Sequence, residues 1–584
     1  MIQLDSNLFT IDNKRDIELI VRRYFGKQRL EDLLESASCM SLEKGENLMN
    51  EGEEGNAMFV LLSGALEAFV SSEEGSKSLG IINAGQSVGE MALLGKSKRT
   101  ATIKATRNCI LLQIEKTQFD QLTLSSNDLL RSLSSTVIAR LDQANRLNKA
   151  PKVKSKFIAL DCSLWRNDPK EMADSISKYW GSSAQISVIT EEDHGVLNDT
   201  DFMLHIYSQE SFDYVFLINS DNEGWNTRVK LNADKTVYFA RESASDKLSD
   251  SSLTTKDELI LCYKDGSNPM QVDKWFSKFK PNKIFRLREG KTNDLERTIR
   301  IVCEEQICLV FGGGGAHGLC NLGVVKALNE LKIPIDIVGG TSIGSIFSGA
   351  LALDFTYDYM YENVDHDISK NNPLNDYTFP FVALLKGKKM RKMLAKHFSV
   401  PIEHSWKNFF AVAANLSTSK TEIMQEGLMN KSIESSISIP GILPPSLYRN
   451  SLLIDGGVLN NLPSDIMNQL YHGHIISVDV VSTKPRSIAH NYKVGNWQYL
   501  KNLISGSRKN FVPNTMGTVM KAVTLASAER AEEKEKVSDI YIKPRVKKGF
   551  LAWKAIKTFE TEGYNSTMDL LSNVNYKTLL SLPD

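Results

Sequence analysis

At 584 residues the chain is too long for one hydrophobic core and predicts about three or four domains of roughly 150 residues each. With 42% hydrophobic and 24% charged residues it has an ordinary globular composition, which excludes a disordered or fibrous chain. Lys+Arg (70) equals Asp+Glu (70), so no basic excess argues for nucleic acid as a partner. The seven cysteines, at 39, 109, 162, 262, 303, 308 and 320, are scattered without C-x-x-C spacing. They fit reduced thiols better than a disulfide framework or a zinc site. The opening "MIQLDSNLFTIDNKRD" lacks the basic-then-apolar layout of a leader peptide. No apolar run approaches the ~18 residues of a membrane span, so the expectation is a cytoplasmic protein whose membrane contacts are peripheral.

In chain order, the first segment (1–150) is strand-rich with glycine turns: "EKGENLMNEGEEGNAMFVLLSGALEAFV", then "SLGIINAGQSVGEMALLGKSKRTATIKA". It closes on a predicted helix, "SNDLLRSLSSTVIARLDQANRLNKA", with Leu and Ile at three- and four-residue steps. "KAPKVKSK" (149–156) reads as a basic linker. The middle segment (151–300) alternates short apolar strands ("KFIALD", "AQISVI", "DYVFLIN", "KTVYFA", "ELILCY") with helical stretches, the pattern of an α/β layer domain. The last segment (301–584) carries the motifs with chemistry in them.

Within the first segment, "GEMALLGKSKRTA" sets a carboxylate, Glu90, and a guanidinium, Arg99, on either side of a short turn. This spacing, with "KGENLMNEGEEGNAMFVLLSG" before it, resembles the phosphate-binding cassette of cyclic nucleotide-binding domains. The resemblance implies a β-roll in which Glu90 accepts a ribose hydroxyl and Arg99 pairs with the cyclic phosphate of cAMP or cGMP. Gly89 and Ala101 would allow close approach, and Thr100 is compatible with cGMP. Two residues depart from the family pattern: Val88 stands where Phe is usual, and Lys98 where Pro is usual. The alternative is a degenerate roll that serves only as an interaction module.

In the last segment, "CLVFGGGGAHGLCNLGVVKAL" (308–328) runs an apolar strand into four glycines and then a helix. Such a turn aims backbone N–H groups at an anion. Gly313 to Gly318 also spells G-x-G-x-x-G, the dinucleotide fingerprint of an oxidoreductase. That fingerprint needs an acidic residue at the end of the next strand, about 20 residues on. Asp336 instead precedes "IVGG" and is expected at the strand's start. A Walker loop would need Lys-Ser/Thr where His317-Gly318 stands. The next strand enters Gly340-Thr341-Ser342-Ile343-Gly344, a G-x-S-x-G whose glycines permit the tight turn that lifts a serine hydroxyl clear of the backbone. The helix behind it favours developing negative charge. "LLIDGGVLNNLP" then places Asp455 at the end of another apolar strand.

These pieces in this order resemble the patatin-like phospholipases. "SISIPGILPPSL", "FAVAANLSTSKTEIM", "VSDIYIKPRVKKGF" and much of the middle segment extend the resemblance over nearly the whole chain. With the roll in front, the chain resembles the neuropathy target esterase family in a short form without a membrane anchor. The resemblance implies a multidomain α/β protein: an N-terminal cyclic-nucleotide-binding β-roll with helices, a middle α/β layer domain and a patatin-like α/β/α domain. It implies Ser342 as nucleophile, Asp455 as base of a Ser–Asp dyad and Gly313, Gly314 and Gly315 as the oxyanion loop, with no cofactor. It also implies a lysophospholipid or phospholipid substrate.

The family usually has Arg or Lys where His317 stands, so any fixed positive charge beside that loop is weakened. A Ser–Asp–His triad is the rival assignment, because His472, His474 and His490 follow Asp455; the plainer reading makes them surface or turn residues. "LLKGKKMRKMLAKHF" (384–398) reads either as a solvated basic helix face or as one lying on an anionic membrane. The alternative function is a nucleotide-sensing regulatory protein with an inactive patatin domain.

Overall fold

The structure, a computed structural model, describes residues 2–3, 38–125, 156–481 and 531–582, apart from short breaks within 73–97, 166–167, 198–211, 248–255, 265–271 and 545–550. The helix expected over 126–150, the linker up to residue 155 and His490 lie outside the described residues. The chain forms two compact units, Met1–Cys262 and Tyr263–Leu582.

The first unit opens with the β-roll. One antiparallel sheet orders Ile2–Gln3, Ser38–Leu42, Cys109–Glu115, Ala57–Ser63 and Ser87–Val88; the other orders Asn47–Met49, Thr102–Ala105, Ala65–Ser72 and Gly75–Asn83. Leu42, Leu61, Leu66, Ile103 and Leu111 fill the space between them. Alternate residues of a strand face opposite sides, so one face of each sheet supplies this core. The helix Glu90–Gly95 begins on the carboxylate of the cassette. The α/β domain follows, a parallel sheet ordered Ile186–Ile189, Tyr214–Ile218, Phe157–Leu164, Lys235–Ala240 and Glu258–Tyr263. Its central strands are buried along their whole length, as helices on both faces of a parallel sheet require. The roll rests on it through Lys44, whose Nζ donates to the carbonyls of Lys230 and Ala233 (3.0 Å each), and through Arg107, stacked 4.0 Å over the ring of Phe157.

The second unit is a mixed sheet flanked by helices. Its strands are β1 (Ile307–Phe311), β2 (Ile337–Thr341), β3 (Asn408–Asn415), β4 (Lys420–Met424), β5 (Ser446–Tyr448), β6 (Ser451–Asp455), β7 (His474–Val478) and β8 (Ile540–Ile542). The order is β5-β6-β3-β2-β1-β7-β8, with β4 also paired to β3. From β3 through β8 along this order the neighbours are parallel, whereas β6 and β4 run antiparallel to β3 and β5 antiparallel to β6.

The helices nearest the site are α1 (Cys320–Glu330), α2 (Ile343–Ala352), α3 (Lys388–Phe398), α4 (Met429–Ser436) and α5 (Ile556–Leu571). Every residue of α2 is buried, which explains its Gly, Ala and Ser content: it is a core helix with no solvent face. At Gly323 of α1 a side chain would run into the carbonyl of Glu560, and at Gly563 of α5 into that of Cys320. The two helices therefore meet backbone to backbone. Six cysteines (109, 162, 262, 303, 308 and 320) are buried free thiols. No helix among the described residues is long and apolar enough to cross a membrane.

Candidate active site

β2 and β6 are joined only through β3, yet they deliver Ser342 and Asp455 to one point. Thr341 lies opposite Val412 on one side of β3, and Asp455 lies opposite Ala413 on the other. The Ser342 hydroxyl donates to Asp455 Oδ2 at 2.6 Å, and both residues are buried, at 7% and 2% exposure. Ser342 sits at φ 54°, ψ −130°, a conformation that costs an L-residue on the order of 1–3 kcal/mol and holds only where its surroundings enforce it. Here they do. A side chain at Gly340 would press on the backbone of Gly344 at 2.6 Å; one at Gly344 would strike the carbonyl of Phe311 and stand 2.9 Å from that of Gly312. The elbow thus fits against the end of β1 only because both flanking residues lack a Cβ.

Asp455 is held as carefully. Its Oδ1 accepts the Gly457 amide at 2.8 Å, and its own amide donates to the Ser438 carbonyl at 2.9 Å. Burial pushes its carboxyl up to about 6, opposed by the bonds from Ser342 and Gly457. Desolvation penalises the charged form, and only two donors compensate it.

The glycine loop faces the serine: a side chain at Gly313 would stand 2.9 Å from Ser342 Cβ. The Gly313 amide is nonetheless unsuited to an oxyanion, contrary to the expectation from sequence, because it already donates to the Asn461 carbonyl at 3.0 Å. The Gly314 and Gly315 amides donate to no acceptor among the described residues and open the short helix Gly315–Leu319. Asn461 also donates from Nδ2 to the Gly313 carbonyl at 2.9 Å, clamping the loop from both sides. Ser436, the last residue of α4, accepts the Ser342 amide at 2.9 Å and donates its own hydroxyl proton to Val412 O at 2.6 Å. Neither Asn461 nor Ser436 stands out in the sequence. Each lies inside a run that resembles the family, but only the fold reveals what it touches.

The other glycine of the fingerprint has a local purpose, since Gly318 leaves room for Ile343, the residue after Ser342. Asp336 precedes β2 and is spent on Arg300, at 2.7 and 2.8 Å, and on the Ile307 amide at 2.9 Å, so no carboxylate waits there for a ribose. His317 is half-buried; its Nε2 bonds the Lys548 carbonyl at 2.9 Å, and burial lowers its pKa against the pull of the backbone carbonyls it meets. His474 pairs with Glu305 at 2.6 Å at the start of β7, opposite Ile307, whereas Ser342 follows the far end of β2. His472 is exposed at the turn before it. A histidine triad therefore has no geometric basis among the described residues.

A cavity of about 300 Å³ lies in the roll and is lined by Gly89, Glu90, Arg99, Thr100 and Ala101 together with Val88 and Ile82. Arg99 is buried, its Nη1 donating to Gly89 O at 2.9 Å and its Nη2 to Ala57 O at 2.7 Å. Burial lowers its pKa, opposed by Glu53 and Glu90. Lys98 is exposed and forms a single β-bridge with Glu54, while Val88 is part of the roll's core.

The family model for patatin-like phospholipases matches residues 309–467, and that for cyclic nucleotide-binding domains matches residues 39–126. The chain joins a patatin domain to a cyclic nucleotide-binding domain. Over 546 residues it is 27% identical to an uncharacterized NTE family protein of Mycobacterium tuberculosis, with 91% of each chain covered. It is 34% identical over 263 residues to a lysophospholipase of Meyerozyma guilliermondii; this region is 44% of the present chain and 18% of the relative. The roll is similar to a crystal structure of a cyclic nucleotide-binding domain from Methylobacillus flagellatus, at 20% identity and a TM-score of 0.23 over 25% of this chain and 86% of that one. The patatin match runs from β1 to residue 467 of the second unit, and so contains both Ser342 and Asp455.

Proposed function

We propose that the chain is a cytoplasmic serine esterase that meets lipid peripherally and cleaves the fatty acyl ester of a lysophospholipid or phospholipid. The observation that carries this reading is the 2.6 Å bond between Ser342 Oγ and a buried Asp455. Asp455 takes the hydroxyl proton as Oγ attacks the ester carbonyl. Its raised pKa, about 6, suits proton abstraction, for which a carboxylate near its usual ~4 would be a weaker base. The Gly314 and Gly315 amides stabilise the tetrahedral oxyanion, where losing one donor costs about 3 kcal/mol. The protonated Asp455 returns its proton to the departing glycerol oxygen. An acyl-serine remains, and water activated by Asp455 releases the fatty acid and restores the hydroxyl.

The lysophospholipase name of the Meyerozyma relative supports the substrate class, and the patatin match supports the ester chemistry. Cyclic nucleotide, cAMP or cGMP, would bind in the cavity between Glu90 and Arg99 and act as regulator rather than cofactor. The test is fatty acid release from lysophosphatidylcholine by the native chain and by Ser342→Ala. Release that persists in the variant would overturn the assignment of Ser342, and none from the native chain at any pH would overturn the reading in favour of a regulatory protein.

A further inference from the structure

Among the described residues of the second unit, the two most exposed large apolar side chains, Phe381 and Phe379, lie together between β2 and β3, in "DYTFPFVALLKG". Asp376 and Lys386 close this segment into a hairpin: Lys386 N donates to Asp376 O at 2.8 Å, Thr378 N donates to Leu384 O at 3.0 Å, and Tyr377 pairs with Leu385. At the tip, Phe379 is 72% and Phe381 88% exposed, their rings 4.7 Å apart, and Tyr377 and Val382 are also exposed. A folded chain that leaves two phenylalanines standing in water at the end of a hydrogen-bonded hairpin has a surface waiting to be covered.

The flanking charge says what covers it. The hairpin leads through Gly387 directly into α3, which buries Met390, Leu394 and Phe398 and turns its basic residues outward. Arg391 and Lys396 pair with Glu434 and Asp367, but Lys386, Lys388 and Lys392 pair with no carboxylate among the described residues. An aromatic tip beside unneutralised lysines complements an anionic lipid surface, where the rings enter the acyl boundary and the ammonium groups meet the headgroups. A protein partner would need a matching acidic pocket, and nothing on the surface specifies its shape.

The hairpin is also tied to the active site. Leu384 N and Leu385 N donate to the carbonyls of Gly441 and Ile442, both at 3.0 Å. The same short segment carries Ser438, which accepts the Asp455 amide, and follows Ser436, which accepts the Ser342 amide. We propose that the hairpin 376–386 and the outward lysines of α3 form a docking surface for anionic membranes that sets the dyad at the lipid boundary. The inference rests on the esterase reading only for what the docked site would do; binding itself does not depend on it.

The test is therefore made in the full chain carrying Ser342→Ala, by co-sedimentation with vesicles of phosphatidylcholine alone or mixed with phosphatidylglycerol. Salt-sensitive pelleting with the anionic vesicles is expected, with little on phosphatidylcholine alone. Phe379→Ser/Phe381→Ser should weaken it at least about ten-fold, each buried aromatic being worth that much, with an unchanged unfolding midpoint because the tip packs on no core. Lys388→Glu/Lys392→Glu should abolish the preference for anionic lipid. Equal pelleting of the Phe variant, or no pelleting of the parent, would overturn the proposal. So would a concentration-dependent dimer that the Phe variant alone dissolves, since the tip would then be a contact between two copies of this chain.

Discussion

The Ser342–Asp455 pair and the Glu90–Arg99 pair of the roll each set one acidic residue and one partner among glycines, but they satisfy them differently. At the elbow the two reactive groups are bonded to each other, Ser342 to Asp455, and the surrounding main chain and Asn461 hold them in place. In the roll, two of the N–H donors of Arg99 go to the carbonyls of Gly89 and Ala57. Its guanidinium is thereby part of the scaffold as well as a wall of the cavity. Removing the Ser342 hydroxyl should read as chemistry alone, whereas a change at Arg99 should read as binding and folding together.

The largest effect that sharpens this contrast is Ser342→Ala. Fatty acid release should fall by about four orders of magnitude or more, as for nucleophile removal in other serine hydrolases, while the unfolding midpoint stays put. Next comes Arg99→Ala. Cyclic nucleotide affinity, by calorimetry with cAMP and cGMP, should drop about 100-fold with the loss of a charge-assisted pair. Because two buried carbonyls lose their donor, the roll should also lose about 1–3 kcal/mol by denaturant titration. An Arg99→Ala chain of native stability would break the comparison. Asn461→Ala comes third: it frees the oxyanion loop without touching the dyad, so kcat should fall roughly ten- to thirty-fold with KM little changed.

The smallest is the pH profile. The proposed mechanism uses ionised Asp455, so with a carboxyl near pH 6 the rate should fall about ten-fold between pH 7 and pH 5. An acid limb near pH 4 would mean the carboxylate is not desolvated. The same shift carries a stability sign. A carboxyl whose folded pKa is raised binds its proton more tightly in the native state, so stability falls as the pH rises from about 4 to about 6 and the full cost is present above that. Asp455→Asn should accordingly raise the unfolding free energy at pH 7, by about 2 kcal/mol.

Much of this site can be seen in the sequence because its logic is local. Gly340-Thr341-Ser342-Ile343-Gly344 and Asp455-Gly456-Gly457 encode their own turns, and a turn dictated by missing side chains needs no knowledge of the rest of the molecule. The apolar runs of 151–300, alternating with helical stretches, likewise announce an α/β layer domain, and strands form at all of them. What stays hidden is what the fold brings from afar. Ser436 lies 94 residues from Ser342, and Asn461 lies 148 from Gly313. No spacing rule selects one asparagine of Asn460-Asn461 over the other. Gly313 misleads for the same reason: the four-glycine run marks an anion loop but cannot say which amide the fold has already used. The basic stretch at 384–398 resolves into a helix with a buried apolar face, and the exposed aromatics just before it carried no signal until the hairpin gave them a position.

The close crossing of α1 and α5 packs residues 556–571 directly against the core of the second unit. Gly323 and Gly563 let the two backbones touch, and Lys548, just ahead of α5, holds His317 beside the glycine loop. The matched patatin region stops at residue 467, before β7, β8 and α5. A fragment trimmed to that region would expose one side of α1 and the edge of β1, and should be recovered as aggregate. A premature stop anywhere before residue 556 would likewise erase an activity whose named residues all lie upstream of it. The unit that holds Ser342 and Asp455 is therefore completed by residues well beyond the matched region.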